Sequence, residues 1–139
     1  MKLVLTSDLH GKRPSVPKGD VLIVAGDIFC GDDIVSLRRD ISWLESLNFR
    51  HIVTVLGNHD LVARHNPSVL ESAKTIHLLA NSGLEIDGVR FYGIDSKDSN
   101  SNIDIPKGTD VVISHFPPAG ILDGGFGSIA IKKARTQSM

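Results

Sequence analysis

Residues of types that bind metal ions or transfer protons stand at the ends of short apolar stretches of the sequence. They are Asp8, His10, Asp27, Asn58, His59, Asp60 and His115. Carboxylate, imidazole and carboxamide groups form the ligand set of borderline to hard divalent metals. A pair of metals about 3.5–4 Å apart, bridged by one carboxylate, would hold both the attacking and the departing oxygen of a phosphoester. These residue types are therefore candidates for a metal site, and with two metals such a site could act on a phosphate ester.

The apolar stretches that precede these residues predict buried strands. They cover residues 3–7, 21–26, 52–57 and 111–114. Nearly continuous, β-branched runs of this length are typical of strands buried on both faces of a sheet. If all four are parallel, the polar residues meet at the carboxyl edge of one sheet, where ligand sites of open α/β sheets lie.

Helices and a hairpin are predicted around these strands. From Ile34 to Leu47 apolar residues recur at helical spacing, with Asp32 or Asp33 placed as the cap of this helix. A helix between two strands forms a crossover connection, so the strands on either side should be parallel. Asp87-Gly88 suits a two-residue hairpin turn because both positions need positive φ. Residues 67–73 and 127–134 predict two further helices, and residues 93–107 predict a loop. The fold class is therefore α/β.

The composition narrows the class of protein. A chain of 139 residues fits one domain, spanning 1–139, and is long enough to bury a real core. A hydrophobic fraction of 41% and a net charge of -1 are those of an ordinary globular protein and argue against a nucleic-acid partner. Cys30 is the single cysteine, which excludes an internal disulfide. The first apolar stretch is too short for a signal peptide, so we expect a cytoplasmic protein without membrane contact.

The order of the polar blocks resembles that of the calcineurin-like metallophosphoesterases. That family's pattern is D-x-H, then G-D, then G-N-H-[DE], then a lone H, then G-H-x-H. The first four blocks stand here as Asp8-Leu9-His10, Gly26-Asp27, Gly57-Asn58-His59-Asp60 and His115. Each block is weak evidence alone, whereas the set is specific. The resemblance covers nearly the whole chain and implies the family's fold, a four-layer α/β sandwich.

The resemblance also implies the metal ligands. Asp8 and His10 would hold one divalent ion, Asp27 would bridge two ions, and Asn58 and His115 would hold the second. Such ligands admit Mn²⁺, Fe²⁺ or Zn²⁺, with Mg²⁺ as a further candidate.

Catalytic roles follow from the same resemblance. His59 would contact the phosphate and protonate the leaving oxygen, and Asp60 would orient the His59 ring. An alkoxide leaving group needs such a general acid, and a hydroxide held by the two metals is an adequate nucleophile near neutral pH. The implied function is metal-dependent hydrolysis of a phosphomonoester or phosphodiester. The expected partner is a small phosphoester, with a nucleotide as one candidate.

The sequence departs from the family pattern after His115, because no further histidine follows and the G-H-x-H block is absent. We therefore expect a C-terminally shortened fold that lacks its last strands. Each metal would lose an imidazole ligand, so partial occupancy is expected. An uncovered sheet edge would favour a homodimer or poor solubility. The alternative function is a non-catalytic relative that binds a metal or a phosphate.

Each polar residue also has a purely structural interpretation. Asp and Asn are common in turns at strand ends, so Asp8, Asp27 and Asn58 could stand there without binding metal. Other histidines match no block of the family pattern and are predicted to be structural or surface residues: His51, His65 and His77.

Overall fold

The computed structural model describes residues 1–138, with side chains through residue 134, and this part of the chain contains two β-sheets. The strands of the first sheet are all parallel and lie in chain order. They are β1 (Leu3–Thr6), β2 (Val21–Ala25), β3 (His51–Val55) and β4 (Ile76–Leu78). The predicted parallel pairing of the strands on either side of the first helix is therefore confirmed.

The second sheet is mixed. Its strands are β5 (Ser82–Ile86), β6 (Val89–Ile94) and β7 (Val111–Ser114). β5 and β6 are antiparallel, and β6 and β7 are parallel. Asp87 and Gly88 join β5 to β6 with φ angles of 50° and 80°, which confirms the predicted hairpin turn.

The helices lie mainly between strands of the first sheet. They are α1 (Ile34–Ser46), α2 (Leu61–His65), α3 (Pro67–Glu71) and α4 (Ile129–Ser138). The Asp33 carboxylate accepts a hydrogen bond of 2.8 Å from Ser36 N, so Asp33 is the predicted cap of α1. The predicted loop at residues 93–107 begins later than expected, because β6 continues to Ile94, and it contains a short 3₁₀ turn at Ser96–Asp98.

Alternation along the strands explains why they are apolar on both faces. In β2, Leu22 and Val24 belong to the core beneath α1, whereas Val21 and Ile23 belong to the core between the two sheets. The inter-sheet core also contains Phe91 and other side chains of the second sheet. The two sheets therefore pack face to face.

The outer face of the second sheet is covered by α4. Tyr92 and Ile94 of β6 pack with Ile131 and Ala134 of that helix. With α1 to α3 on the first sheet, the order of layers is helix, sheet, sheet, helix. The predicted four-layer α/β sandwich is confirmed.

One part of the predicted topology was wrong. The four apolar runs that end in polar residues do not share one sheet, because β7 pairs with β6 in the second sheet. A buried-strand pattern shows that a segment is covered on both faces but does not specify its partner strand. The neighbour of β3 is instead β4, a short strand that the pattern did not predict.

Within residues 1–138, β7 is paired along one side only. Several large apolar side chains near the C-terminal side are exposed, among them Leu122 and Phe126. A free edge and exposed apolar groups favour self-association, but the homodimer stays a prediction. Among the described helices, none combines the length and apolar character needed to cross a bilayer.

The core beneath α1 gives a test of the fold. Leu44 is fully buried there, whereas Leu61 on α2 is 57% exposed. We expect Leu44→Ala to lower the free energy of unfolding by about 2–5 kcal/mol, because it removes buried methyl groups and leaves a cavity. Leu61→Ala should change it by less than about 0.5 kcal/mol. Equilibrium urea denaturation measures both, and equal effects would contradict the layer assignment.

Candidate metal centre

Each predicted metal ligand lies just beyond the carboxyl end of a strand. Asp8 and His10 follow β1, Asp27 follows β2, Asn58 follows β3, and His115 follows β7. Because the sheets are packed face to face, the end of β7 reaches the ends of the first sheet. The ligands therefore come from both sheets.

The structure brings these side chains together around Asp27. Ligand atoms of Asp8, Asp27 and His115 all lie within 4.8 Å of one another. Asp27 Oδ2 is 3.6 Å from His10 Nε2 and 3.4 Å from His115 Nε2. Asn58 Oδ1 is 2.9 Å from His115 Nε2. All of the predicted ligands thus converge on one region.

The backbone is unusual at three of these ligands. Asp8, His10 and Asp27 have φ angles of 54°, 47° and 52°, in the left-handed region that non-glycine residues rarely adopt. Hydrogen bonds between loops maintain this conformation: Asp8 N donates to Gly26 O at 3.0 Å, and His10 N donates to Asp27 O at 2.9 Å. The loop after β1 is therefore joined along its length to the loop after β2. Strain of this kind is typical of functional sites.

Gly26 and Gly57 allow the loops to approach closely. A Cβ atom on Gly57 would overlap the Asp27 carboxylate. A Cβ atom on Gly26 would lie 2.6 Å from His115 Nδ1 and 2.8 Å from Gly57 N. These glycines are needed for space, and Gly26 also for its φ of 87°.

The hydrogen bond between His115 Nδ1 and Ala25 O, at 2.8 Å, determines the protonation of that ring. A carbonyl oxygen only accepts, so Nδ1 carries a proton and the neutral ring presents the Nε2 lone pair. Nε2 faces the side-chain oxygens of Asn58 and Asp27. The Nε2 lone pair and these two oxygens are all hydrogen-bond acceptors. They can lie this close together when a metal ion, or a second proton on Nε2, is placed between them. The donor set therefore fits a divalent metal ion.

Asp60 has a different environment from the one predicted. Its carboxylate is fully buried. Oδ1 accepts from Ile28 N at 2.9 Å and Phe29 N at 3.0 Å, and Oδ2 accepts from Gly57 N at 2.8 Å. In the described part of the chain no hydrogen bond joins this carboxylate to the His59 ring, because both oxygens are engaged by the backbone. Asp60 therefore holds the loops after β2 and β3 together.

His59 lies at the open side of the centre. Its backbone N–H donates to Asp27 Oδ1 at 2.9 Å, so the main chain at this residue is positioned by the central carboxylate. Its side chain is exposed, and the ring centroid lies 5.6 Å from that of His10. The ring is thus free to meet a ligand that enters from solvent.

Arg64 and Asp95 form an ion pair that the sequence patterns did not predict. Arg64 Nη1 donates to both oxygens of Asp95, at 2.8 and 2.9 Å, and Nη2 donates to Ser96 Oγ at 3.0 Å. Asp95 is buried. The pair joins α2, which follows His59, to the end of β6. The sequence feature that could have indicated Asp95 is its position after an apolar strand, which it shares with Asp27.

The histidines outside the family pattern lie away from the centre. His51 Nδ1 is 3.0 Å from His77 Nε2, and His51 is the first residue of β3, at the edge of the sheet opposite the metal ligands. Burial, followed by the charge of His51, lowers the pKa of His77. His65 ends α2 and is exposed.

Comparison with known protein families gives a match over most of the chain. A family model described as calcineurin-like phosphoesterase matches residues 1–134. The chain belongs to the calcineurin-like phosphoesterase family. The loops that carry Asp8, Asp27, Asn58 and His115 all fall within the matched residues.

Two curated relatives illustrate how far the family likeness extends. Human metallophosphoesterase domain-containing protein 1 is 26% identical over an alignment of 164 positions. The alignment covers 88% of this chain and 50% of the human protein. The probable rhamnogalacturonate lyase C of Emericella nidulans is 28% identical over an alignment of 150 positions. That alignment covers 90% of this chain and 14% of the Emericella protein. The chain therefore spans half or less of each relative.

The contacts of Asp60 lead to a stability prediction. In Asp60→Asn an amide NH₂ replaces one acceptor oxygen and faces a buried backbone N–H. We expect the free energy of unfolding to fall by about 1–3 kcal/mol, because a buried donor loses its partner. Urea denaturation in the presence of a chelator measures this without a contribution from metal.

Asp32→Asn is the matched control, because Asp32 is exposed and should tolerate the change to within about 0.5 kcal/mol. Wild-type stability in Asp60→Asn would refute the role of Asp60 in holding the loops.

Proposed function

We propose that this protein is a metal-dependent phosphoesterase that hydrolyses a phosphomonoester or a phosphodiester. The observation that carries the proposal is the convergence of Asp8, Asp27 and His115, whose ligand atoms lie within 4.8 Å of one another. Membership of the calcineurin-like phosphoesterase family supports the same reaction class. The human relative is likewise named for a metallophosphoesterase domain.

The residues of the centre divide into two ligand groups around Asp27. Asp8 and His10 would hold one divalent ion, and Asn58 and His115 would hold the other. Mn²⁺, Fe²⁺ and Zn²⁺ suit this mixture of oxygen and nitrogen donors, and Mg²⁺ is a further candidate. When bound, such ions supply positive charge to the phosphoryl oxygens and lower the pKa of water.

Hydrogen bonds within the protein hold the ligand groups in place. Asp27 Oδ1 is occupied by His59 N, so Oδ2 is the oxygen that faces His10 and His115. His115 is fixed by Ala25 O through Nδ1, which leaves Nε2 as its donor. These contacts reduce the conformational freedom that metal binding would otherwise have to restrict.

His59 is the proposed general acid. Its main chain is held by Asp27 and its ring is exposed beside His10. Imidazole is the side-chain group that most often acts as a general acid, which suits it to give a proton to a leaving alkoxide. Asp60 does not orient the His59 ring in this proposal, because both of its oxygens accept from backbone donors.

A second candidate function is a relative of the family that binds metal or phosphate without turnover. It is favoured by one observation, that among the described residues each ligand group around Asp27 contains a single imidazole, from His10 and from His115. Both candidates require metal binding at Asp27. Only the phosphoesterase requires hydrolysis.

The test measures metal content and Mn²⁺-dependent hydrolysis of bis(nitrophenyl) phosphate. We expect Asp27→Asn to lose both metal and turnover, because it removes the charge shared by the two ligand groups. His59→Gln should keep its metal and lose about 10²–10⁴-fold in turnover of a diester with an alkoxide leaving group. The loss should be smaller with nitrophenolate, which leaves without a proton.

His65→Gln is the matched control for His59, because His65 is an exposed histidine on α2 and should behave as wild type. Equal losses for both leaving groups would mean that His59 binds phosphate and does not protonate the leaving oxygen. If the metal-loaded protein hydrolyses no phosphoester with any divalent ion, the second candidate function replaces the first.

A further inference from the structure

A groove runs beside α1, outside the ligand groups of the metal centre. It consists of two adjoining cavities of about 520 and 300 Å³. The cavities share Arg13 and Arg39. We refer to both cavities together as the α1 groove. None of the side chains that line the groove belongs to the metal centre.

The wall of the groove is a regular stripe of α1. Its members recur at helical spacing and line the larger cavity with Arg13: Val35, Arg38, Arg39, Ser42, Trp43 and Ser46. The core stripe of the same helix is different and contains Leu37, Ile41 and Leu44. Residues three and four apart lie on one helix face, so α1 presents a second face to the groove.

The smaller cavity of the groove is lined by residues of the two loops that carry His10 and Asp27. It is lined by Gly11, Cys30 and Gly31 as well as by the shared arginines. Gly11 directly follows the ligand His10, and its N–H donates to Ile28 O at 2.9 Å. The same loops therefore carry metal ligands on one side and line the groove on the other.

The charge of the groove is positive although the chain as a whole has a net charge of -1. Arg13, Arg38 and Arg39 supply three guanidinium groups. Two carboxylates oppose them: Asp40 Oδ1 lies 3.3 Å from Arg13 Nη2, and Asp33 interacts with Arg39. A surplus of positive charge remains, next to a centre that is proposed to act on phosphate.

The chemistry of the wall indicates the class of ligand. A planar guanidinium pairs with the oxygens of phosphate or carboxylate through two N–H groups. Arginines shared by both cavities match phosphate better than carboxylate, because phosphate offers more oxygens and more charge to several donors at once. We propose that the α1 groove binds a second phosphate group of the substrate, while the scissile phosphoester lies at the metal centre. This inference rests on the proposed phosphoesterase function.

The chain carries its own reporters for this site. Trp43 is the single tryptophan and Cys30 the single cysteine of the sequence, and each lines one of the two cavities. In protein kept free of metal by a chelator, inorganic pyrophosphate should change Trp43 fluorescence in a saturable manner. It should also slow alkylation of Cys30 by N-ethylmaleimide. Potassium chloride at equal ionic strength should do neither.

Substitutions locate the binding. Arg39→Gln should raise the pyrophosphate concentration at half-saturation at least about tenfold, because it removes a charged hydrogen-bond donor. Arg39→Lys, which keeps the charge, should raise it less. Arg50→Gln is the control, because Arg50 is exposed and pairs with Asp87 elsewhere on the surface. Circular dichroism confirms that each variant is folded.

The fluorescence result decides whether the groove binds phosphate. An absent or unsaturable response, an equal response to chloride, or an equal loss in Arg50→Gln would overturn the inference.

Turnover then decides whether the bound phosphate belongs to the substrate. For a diester that carries a second phosphate, Arg39→Gln should raise KM and leave kcat nearly unchanged. Hydrolysis of bis(nitrophenyl) phosphate, which has no second phosphate, should not change. Equal effects on both substrates would refute a substrate subsite.

The failure of the proposed function is a separate result. If neither diester is hydrolysed, the phosphoesterase proposal fails, and with it the claim that the ligand is a substrate. A saturable fluorescence response in that case would support the groove as a binding site for a free phosphate compound.

Discussion

The buried carboxylate of Asp60 is the contact on which the candidate centre depends. It accepts hydrogen bonds from backbone N–H groups of the loops after β2 and β3. Those loops carry Asp27 and Asn58, so this side chain helps to fix the distance between candidate ligands from neighbouring strands. A buried carboxylate with a donor for each oxygen avoids the cost of an unpaired charge. The hydrogen bonds that join these loops therefore come from the protein chain itself.

Close approach between loops explains the strained backbone of the centre. The left-handed φ angles of Asp8, His10 and Asp27 occur where loop backbones hydrogen-bond to each other, next to glycines that leave room for them. Conformations of this kind persist only when the surroundings over-determine them. Here the surroundings are two parallel strands in register and a buried carboxylate. The arrangement aims side chains from separate loops at a single region, which a relaxed turn would not do.

Local chemistry made part of this structure predictable from sequence. The cap Asp33, the turn at Asp87-Gly88 and the strand ends that carry the candidate ligands each follow from patterns within a few residues. The sheet to which β7 belongs did not follow, because a strand's apolar pattern says nothing about its neighbour. The contacts of Asp60 could not be predicted from the sequence either. A carboxylate beside a histidine suggests an orienting partner, and only the three-dimensional structure shows backbone donors on both oxygens.

The position of the centre between the sheets has a thermodynamic consequence. Within the described chain, His115 enters from the second sheet and contacts Ala25 O of the first, while Asn58 and Asp27 come from the first sheet. A metal ion held by ligands from both sheets would bind the folded chain in preference to the unfolded one. Free metal at a hundred times its dissociation constant would then stabilise the fold by about 2.7 kcal/mol. Metal affinity and sheet packing would thus be linked, and a substitution in the inter-sheet core would act on the centre without touching a candidate ligand.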